Sequence, residues 1–162
     1  MSQVIKHEKQ QLGGRVFGHI QFTISEEDIS DADTSQDVAI PDAPAGEVAW
    51  SHARATPIVI ATDSGDGDGD GDGDGDGDGD GDGDLSALDL VIGTSADPDG
   101  LMTAVDLFAV AAGTRSGGDG VLARYLVTST PPTLQFDSTG TNLDDAGIAF
   151  KTLVDVYYER DR

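Results

Sequence analysis

From Arg15 to Ile24 the chain reads RVFGHIQFTI, with Val16, Gly18, Ile20, Phe22 and Ile24 at one parity and His19, Gln21 and Thr23 at the other. Period-two alternation of β-branched and aromatic residues predicts a strand with one buried face. The same alternation returns at the far end. Ile148 to Tyr158 places Phe150, Thr152, Val154, Val156 and Tyr158 together on one face. Between them, Val38–Ile40, Glu47–Thr62, Leu85–Gly93, Val121–Ser129 and Thr133–Phe136 also read as strands. Glu47–Thr62 reads as one strand or two, and its Ile58, Val59 and Ile60 predict burial on both faces. Val105–Ala112 fits a strand or a short helix equally well. SEEDISDADTSQ (25–36) is an acidic, turn-rich stretch that admits a short helical turn capped by Ser25. PDAPAG, DPDG (Asp97–Gly100), GTRSGGDG and Pro131–Pro132 are the breakers. Seven to nine short strands separated by such turns predict an all-β fold, an antiparallel β-sandwich or jelly roll.

Residues 65–84 interrupt this pattern with ten Gly-Asp repeats. The run has no apolar side chain to bury, its glycines sample both signs of φ and its carboxylates repel. It is therefore expected to be a flexible surface loop, spanning 63–84, between two strands of one domain covering 15–162. Residues 1–14 are polar and read as an N-terminal arm. The first 15 residues carry Lys6, Lys9 and Arg15 against Glu8 alone. Such a segment is either a frayed terminus or an arm that docks on an acidic surface, with those three cations as its contacts.

Charge narrows the functional classes. The 162 residues carry a formal charge of −22, with 31 Asp and Glu against nine Lys and Arg. Nine scattered cations are not expected to assemble a nucleic-acid-binding face, and an anionic membrane would repel the chain. No apolar run reaches the length of a membrane-spanning helix, and MSQVIKHEKQQLGG lacks the apolar core of a signal peptide. The absence of cysteine rules out disulfides, zinc–thiolate sites and thiol catalysis.

Candidate chemistry is sparse. Calcium requires several carboxylate oxygens at set positions. An EF-hand loop started at Asp66 puts Gly77 where a bidentate Glu is needed. The run is thus expected to bind Ca2+ only diffusely and weakly, with no resident cofactor. Asp97 and Asp99 are weak candidates for a cation, and equally ordinary turn residues. FDSTGTN (136–142) is similar to the aspartic protease signature, but an extra residue separates Asp137 from Gly140. His7, His19 and His52 are too few and too scattered to predict a metal triad, and His19 and His52 read as exposed strand positions. Trp50, Tyr125, Tyr157 and Tyr158 read as core or interface aromatics.

The order of features, an arm, RVFGHIQFTI, a short strand into AIPDAPAGEV, DLVIGTSADPDGL, a Gly-rich loop and TLVDVYYE, resembles the β-sandwich capsid decoration (cement) proteins of tailed bacteriophages. The Gly-Asp run is not part of that pattern. The resemblance implies a non-enzymatic virion protein that binds the major capsid protein, often as a homotrimer. Such a protein is made in the host cytoplasm and ends on the outer capsid surface. A calcium-dependent surface adhesion module and, further off, a hydrolase are the alternatives.

Overall fold

The computed structural model describes residues 2–10, 14–30, 32–63, 85–116, 126–143 and 147–161. Within them, nine strands form two antiparallel sheets that face each other across one core, an all-β sandwich. In chain order they are β1 (Ser2–Gln10), β2 (Arg15–Ser25), β3 (Ser35–Ala39), β4 (Val48–Asp63), β5 (Ala87–Thr94), β6 (Asp97–Asp106), β7 (Leu126–Thr128), β8 (Thr133–Thr139) and β9 (Ile148–Asp161). One sheet runs β1-β2-β9-β4-β7 and the other β3-β8-β5-β6. No α-helix occurs among the described residues; a single 3-10 turn spans Glu26–Asp28. Ser25 stands at its N-cap, and the Asp28 carboxylate accepts from the Ser25 backbone N–H at 3.1 Å.

The central pair β2 and β9 is registered over eleven residues, from Arg15 opposite Asp161 to Ser25 opposite Lys151. The expected parity holds in both. Ile20, Phe22 and Ile24 of β2, and Phe150, Val154, Val156 and Tyr158 of β9, are core residues. They meet Leu88, Leu90, Ile92, Leu134 and Phe136 of the opposite sheet, and the Phe136 and Phe150 rings lie 5.6 Å apart. At the β2–β9 register point where Gly18 faces Tyr158, the glycine is a matter of space. A Cβ there would overlap the Cζ, Cε1 and hydroxyl end of the Tyr158 ring. The aromatic ring thus covers backbone that a side chain would otherwise shield.

Four expectations change. Residues 2–10, read as part of an arm, form edge strand β1, paired with β2 from Ser2–Thr23 to Gln10–Val16. The strand is polar because an edge position buries little, so its hydropathy carried no strand signal. Glu47–Thr62 is one strand, but the ladder to β9 shifts register between Trp50 and His52, Pro57 and Val59, and Val59 and Thr62. Those irregularities lift Ile58 and Val59 out of the sandwich, leaving them 49% and 47% exposed, with Ile60 exposed beside them. DPDG opens β6, and the chain turns instead at Ser95–Ala96. Val105–Ala112 continues β6 only to Asp106 before turning. The Gly-Asp run, Tyr125 and most of Val121–Ser129 lie outside the described residues.

Candidate functional site

Outward positions of the five-stranded sheet line up in rows, because register pairs side chains of equal parity across neighbouring strands, and three of these rows matter here. The first joins Lys9, Phe17, Glu159, Ala49 and Val127 across β1, β2, β9, β4 and β7. The second joins His7, His19, Tyr157 and His52. The third joins Ile5, Gln21, Asp155 and Arg54. The bulge after Trp50 is what lets Trp50 face the core while His52 joins the second row.

The second row gathers every histidine of the chain. Ring centroids are 6.3 Å apart for His7–His19, 4.4 Å for His19–Tyr157 and 4.2 Å for His52–Tyr157, with interplanar angles of 20°, 6° and 13°. Far apart in sequence, these residues stand side by side in space. Stacked imidazoles point their nitrogen lone pairs in parallel rather than toward a common point, which suits packing and not chelation. Among the described residues no group of three His, Asp or Glu is placed to hold a metal ion. The inner ring faces are covered by neighbouring rings, so the row presents ring edges to solvent and offers no platform for stacking nucleobases.

Asp155 lies beneath this face, only 2% exposed. Its Oδ1 accepts from Gln21 Nε2 at 2.8 Å and lies 2.7 Å from His19 Nε2. The buried carboxylate thereby fixes the His19 ring, as an acid behind a histidine does generally. Burial pushes the His52 imidazole below its ordinary pKa; the charges of Arg54 and His19 add to that, and Asp155 opposes it. Ser51 Oγ lies 3.2 Å from His52 Nδ1 but donates to the Tyr157 carbonyl, also at 3.2 Å.

The cations predicted to meet a partner have other engagements. Lys6 donates to the Asp42 carbonyl at 3.2 Å and pairs with Glu8 at 3.6 Å. Arg15 pairs with Glu159 at 3.4 Å and Asp161 at 3.9 Å. Lys9 is exposed and has no ion pair among the described residues. At the rim, Tyr158 Oη donates to Glu8 at 2.6 Å and Arg160 joins at 3.2 Å. The Tyr158 hydroxyl holds the Glu8 carboxyl below the usual carboxylate range, against burial and with help from Lys6 and Arg160. Burial and then Glu8 push the phenol of Tyr158 up.

The other sheet is chemically opposite. Its four strands hold Asp37, Asp89, Asp97, Asp99, Asp106 and Asp137 and no Lys or Arg. Asp106, Asp89 and Asp137 form a row across β6, β5 and β8. Burial, followed by Asp106 and Asp137, raises the Asp89 pKa. Asp97 and Asp99 are exposed at the start of β6, away from any third ligand among the described residues. Asp137 of FDSTGTN stands in the acidic row, and Ser138 Oγ closes the following turn onto the Thr141 carbonyl at 2.6 Å. The extra residue thus belongs to the end of β8, paired with β5, and the chain turns only from Gly140. An open cleft of about 370 Å³ on this sheet is lined by hydroxyls, amides and Asp37.

The five-stranded sheet, by contrast, holds Lys6, Lys9, Arg15, Arg54, Lys151 and Arg160, six of the nine cations, and all three histidines. Against them stand Glu8, Asp63, Asp155, Glu159 and Asp161. This segregation was not visible along the sequence, because β1, β2, β4 and β9 are adjacent only after folding. No family model matches the chain, and comparison with curated proteins and with solved structures finds no match either.

Proposed function

We propose that this protein is a non-enzymatic structural component of a virion, which decorates the capsid by binding the major capsid protein and associates as a homotrimer there. The single observation that carries the reading is the division of charge between the two sheets. A protein that forms an outer layer needs one face suited to contact and another suited to solvent. Here one sheet gathers cations, histidines and exposed apolar side chains, and aspartates are the only charged side chains on the strands of the other. The acidic face keeps decorated particles apart by like-charge repulsion. The resemblance of the strand and turn order to capsid decoration proteins supports the same reading. The test is co-sedimentation of the full chain with shells assembled from the major capsid protein of the same virus. Saturable binding in multiples of three copies is expected; shells that remain bare at saturating protein contradict it.

A calcium-dependent adhesion module is the second reading; the Asp106–Asp89–Asp137 row supplies acidic surface for it but not the convergent geometry of a bound ion. A saturable rise in melting temperature with calcium, abolished by Asp89→Asn, is the result that would replace the first reading with the second.

A further inference from the structure

We infer that the outer face of the five-stranded sheet is the surface that seats this protein on a carboxylate-rich protein partner, with the aspartate face of the other sheet turned away. The inference deepens the shell-binding reading by naming the face and the chemistry it recognises.

Three observations carry it. The first is charge. Lys9, Arg15, Arg54 and Lys151 share the outward parity of this sheet, while the acids of that parity are Glu159 and Asp161, both engaged by Arg15, and the buried Asp155. On a molecule of charge −22, four cations to three acids leave this face with a small cationic excess among the described residues. Complementarity of that kind sets orientation and register more than raw affinity.

The second is exposed apolar surface. Ile5, Phe17 and Val127, three of the seven large apolar side chains exposed among the described residues, stand on the same face, Phe17 40% and Val127 57% exposed. Phe17 sits between Lys9 and Glu159, and Val127 ends the same row. Apolar anchors inside a polar surround are the usual anatomy of a contact surface.

The third is shape. Strands about 4.8 Å apart and the eleven-residue β2–β9 ladder, rising about 3.4 Å per residue, give a face of at most about 700 Å², since β7 contributes only three residues. That is close to the roughly 800 Å² each partner contributes to an interface of standard size. The ring ladder keeps the face rigid, and Asp155 locks one of its rings from below, so little side-chain freedom is lost on docking.

A protein carboxylate surface fits better than nucleic acid. Four spaced cations with acids between them do not match a duplex that carries one charge per roughly 1.7 Å, and the whole-molecule charge repels it.

The test uses the full chain and two probes. In a titration of the isotopically labelled protein with poly-L-glutamate at low ionic strength, amide shifts are expected at His7, Lys9, Phe17, His19, His52 and Arg54. The same titration should leave Asp37, Asp89 and Asp137 unmoved. The double variant Lys9→Glu/Lys151→Glu, whose lysines have no ion pair among the described residues, should lose those shifts at unchanged melting temperature. It should also bind assembled shells at least tenfold more weakly than the parent chain. Asp37→Asn/Asp137→Asn should bind shells as tightly as the parent. Equal shell binding by the lysine variant, shifts spread over both sheets, no shifts at all, or a stronger response to a DNA duplex or anionic vesicles would each overturn the inference. Shells left bare by the parent chain, with poly-L-glutamate still landing on this face, refute the shell reading and leave the surface standing.

Discussion

Replacing Gly18 by alanine sets two physical effects of opposite sign against each other. Intrinsic preference favours the change: glycine inside a strand costs about 0.5–1 kcal/mol relative to alanine. Packing opposes it. The new Cβ would lie inside the van der Waals envelope of Tyr158 Cζ, Cε1 and Oη. Tyr158 is 2% exposed and wedged against Trp50, with ring centroids 5.4 Å apart, so it has no free direction. Overpacking of this kind costs about 1–3 kcal/mol. Displacing the ring also breaks the 2.6 Å bond to Glu8, worth about 1.5–3 kcal/mol for a bond to a charged acceptor and less at this partly exposed rim. One displacement causes both losses, so the net expectation is a destabilisation of about 3 kcal/mol. For a chain of this length that lowers the melting temperature by about 6–12 °C. The assay is thermal unfolding by circular dichroism in a double-mutant cycle. In a Tyr158→Leu background the ring is gone, and Gly18→Ala should then be neutral or slightly stabilising. A neutral Gly18→Ala in the parent chain, or an equal cost in both backgrounds, would refute the packing argument.

Other consequences can be measured on the same protein. Asp155→Ala leaves the side-chain donors of His19 and Gln21 without their acceptor and should cost about 2–4 kcal/mol, whereas Asp155→Asn keeps one acceptor oxygen and should cost about half as much, by urea unfolding. Because the Asp89 pKa is raised on folding, the native state binds more protons than the unfolded chain in that window, so this residue detracts from stability at neutral pH and the deficit shrinks as pH falls toward the ordinary aspartate range. Asp89→Asn should therefore raise the melting temperature at pH 7 and have a much smaller effect near pH 4. Glu8 has the opposite sign: its depressed pKa gives stability that is present above the unfolded value and lost as pH falls through the folded one, so Glu8→Gln should flatten the acid limb of the stability profile. The Asp63 carboxylate accepts from Leu85 N–H at 2.8 Å, so the two ends of segment 64–84 are adjacent. Replacing its 21 residues by a five-residue turn should raise stability by about 1 kcal/mol through loop closure, and a loss of folding would show instead that the run is structural.

What the sequence made legible tracks where burial is one-sided. β2 and the last strand alternate cleanly because one face packs on the core, so their parity follows from residue order, although the last strand runs past Tyr158 to Asp161, where polar residues carry no alternation. β1 was illegible because a strand at a sheet edge, with Lys6 and Glu8 in an ion pair rather than in the core, has no hydrophobic period to read. Ile58, Val59 and Ile60 misled because the argument from three consecutive apolar residues assumes an unbroken ladder, and β4 shifts register three times. The 3-10 turn after Ser25 was readable from local chemistry alone. The candidate site was legible only in its residues. Each histidine lies on a different strand, and the row they form depends on β1 being a strand, on the β2–β9 register and on the bulge after Trp50. Local pattern carries none of these. The contrast between the sheets was hidden for the same reason, since β9 sits between β2 and β4 although it comes last in the chain.

Seating on the shell is seen most directly in an electron cryomicroscopy reconstruction of shells assembled from the major capsid protein and saturated with this chain. Threefold-related sandwiches are expected on the outer surface, each with Phe17, Tyr157 and the three histidines against the shell and Asp37, Asp89 and Asp137 toward solvent. Bare shells, or sandwiches seated on the aspartate face, would contradict this seating.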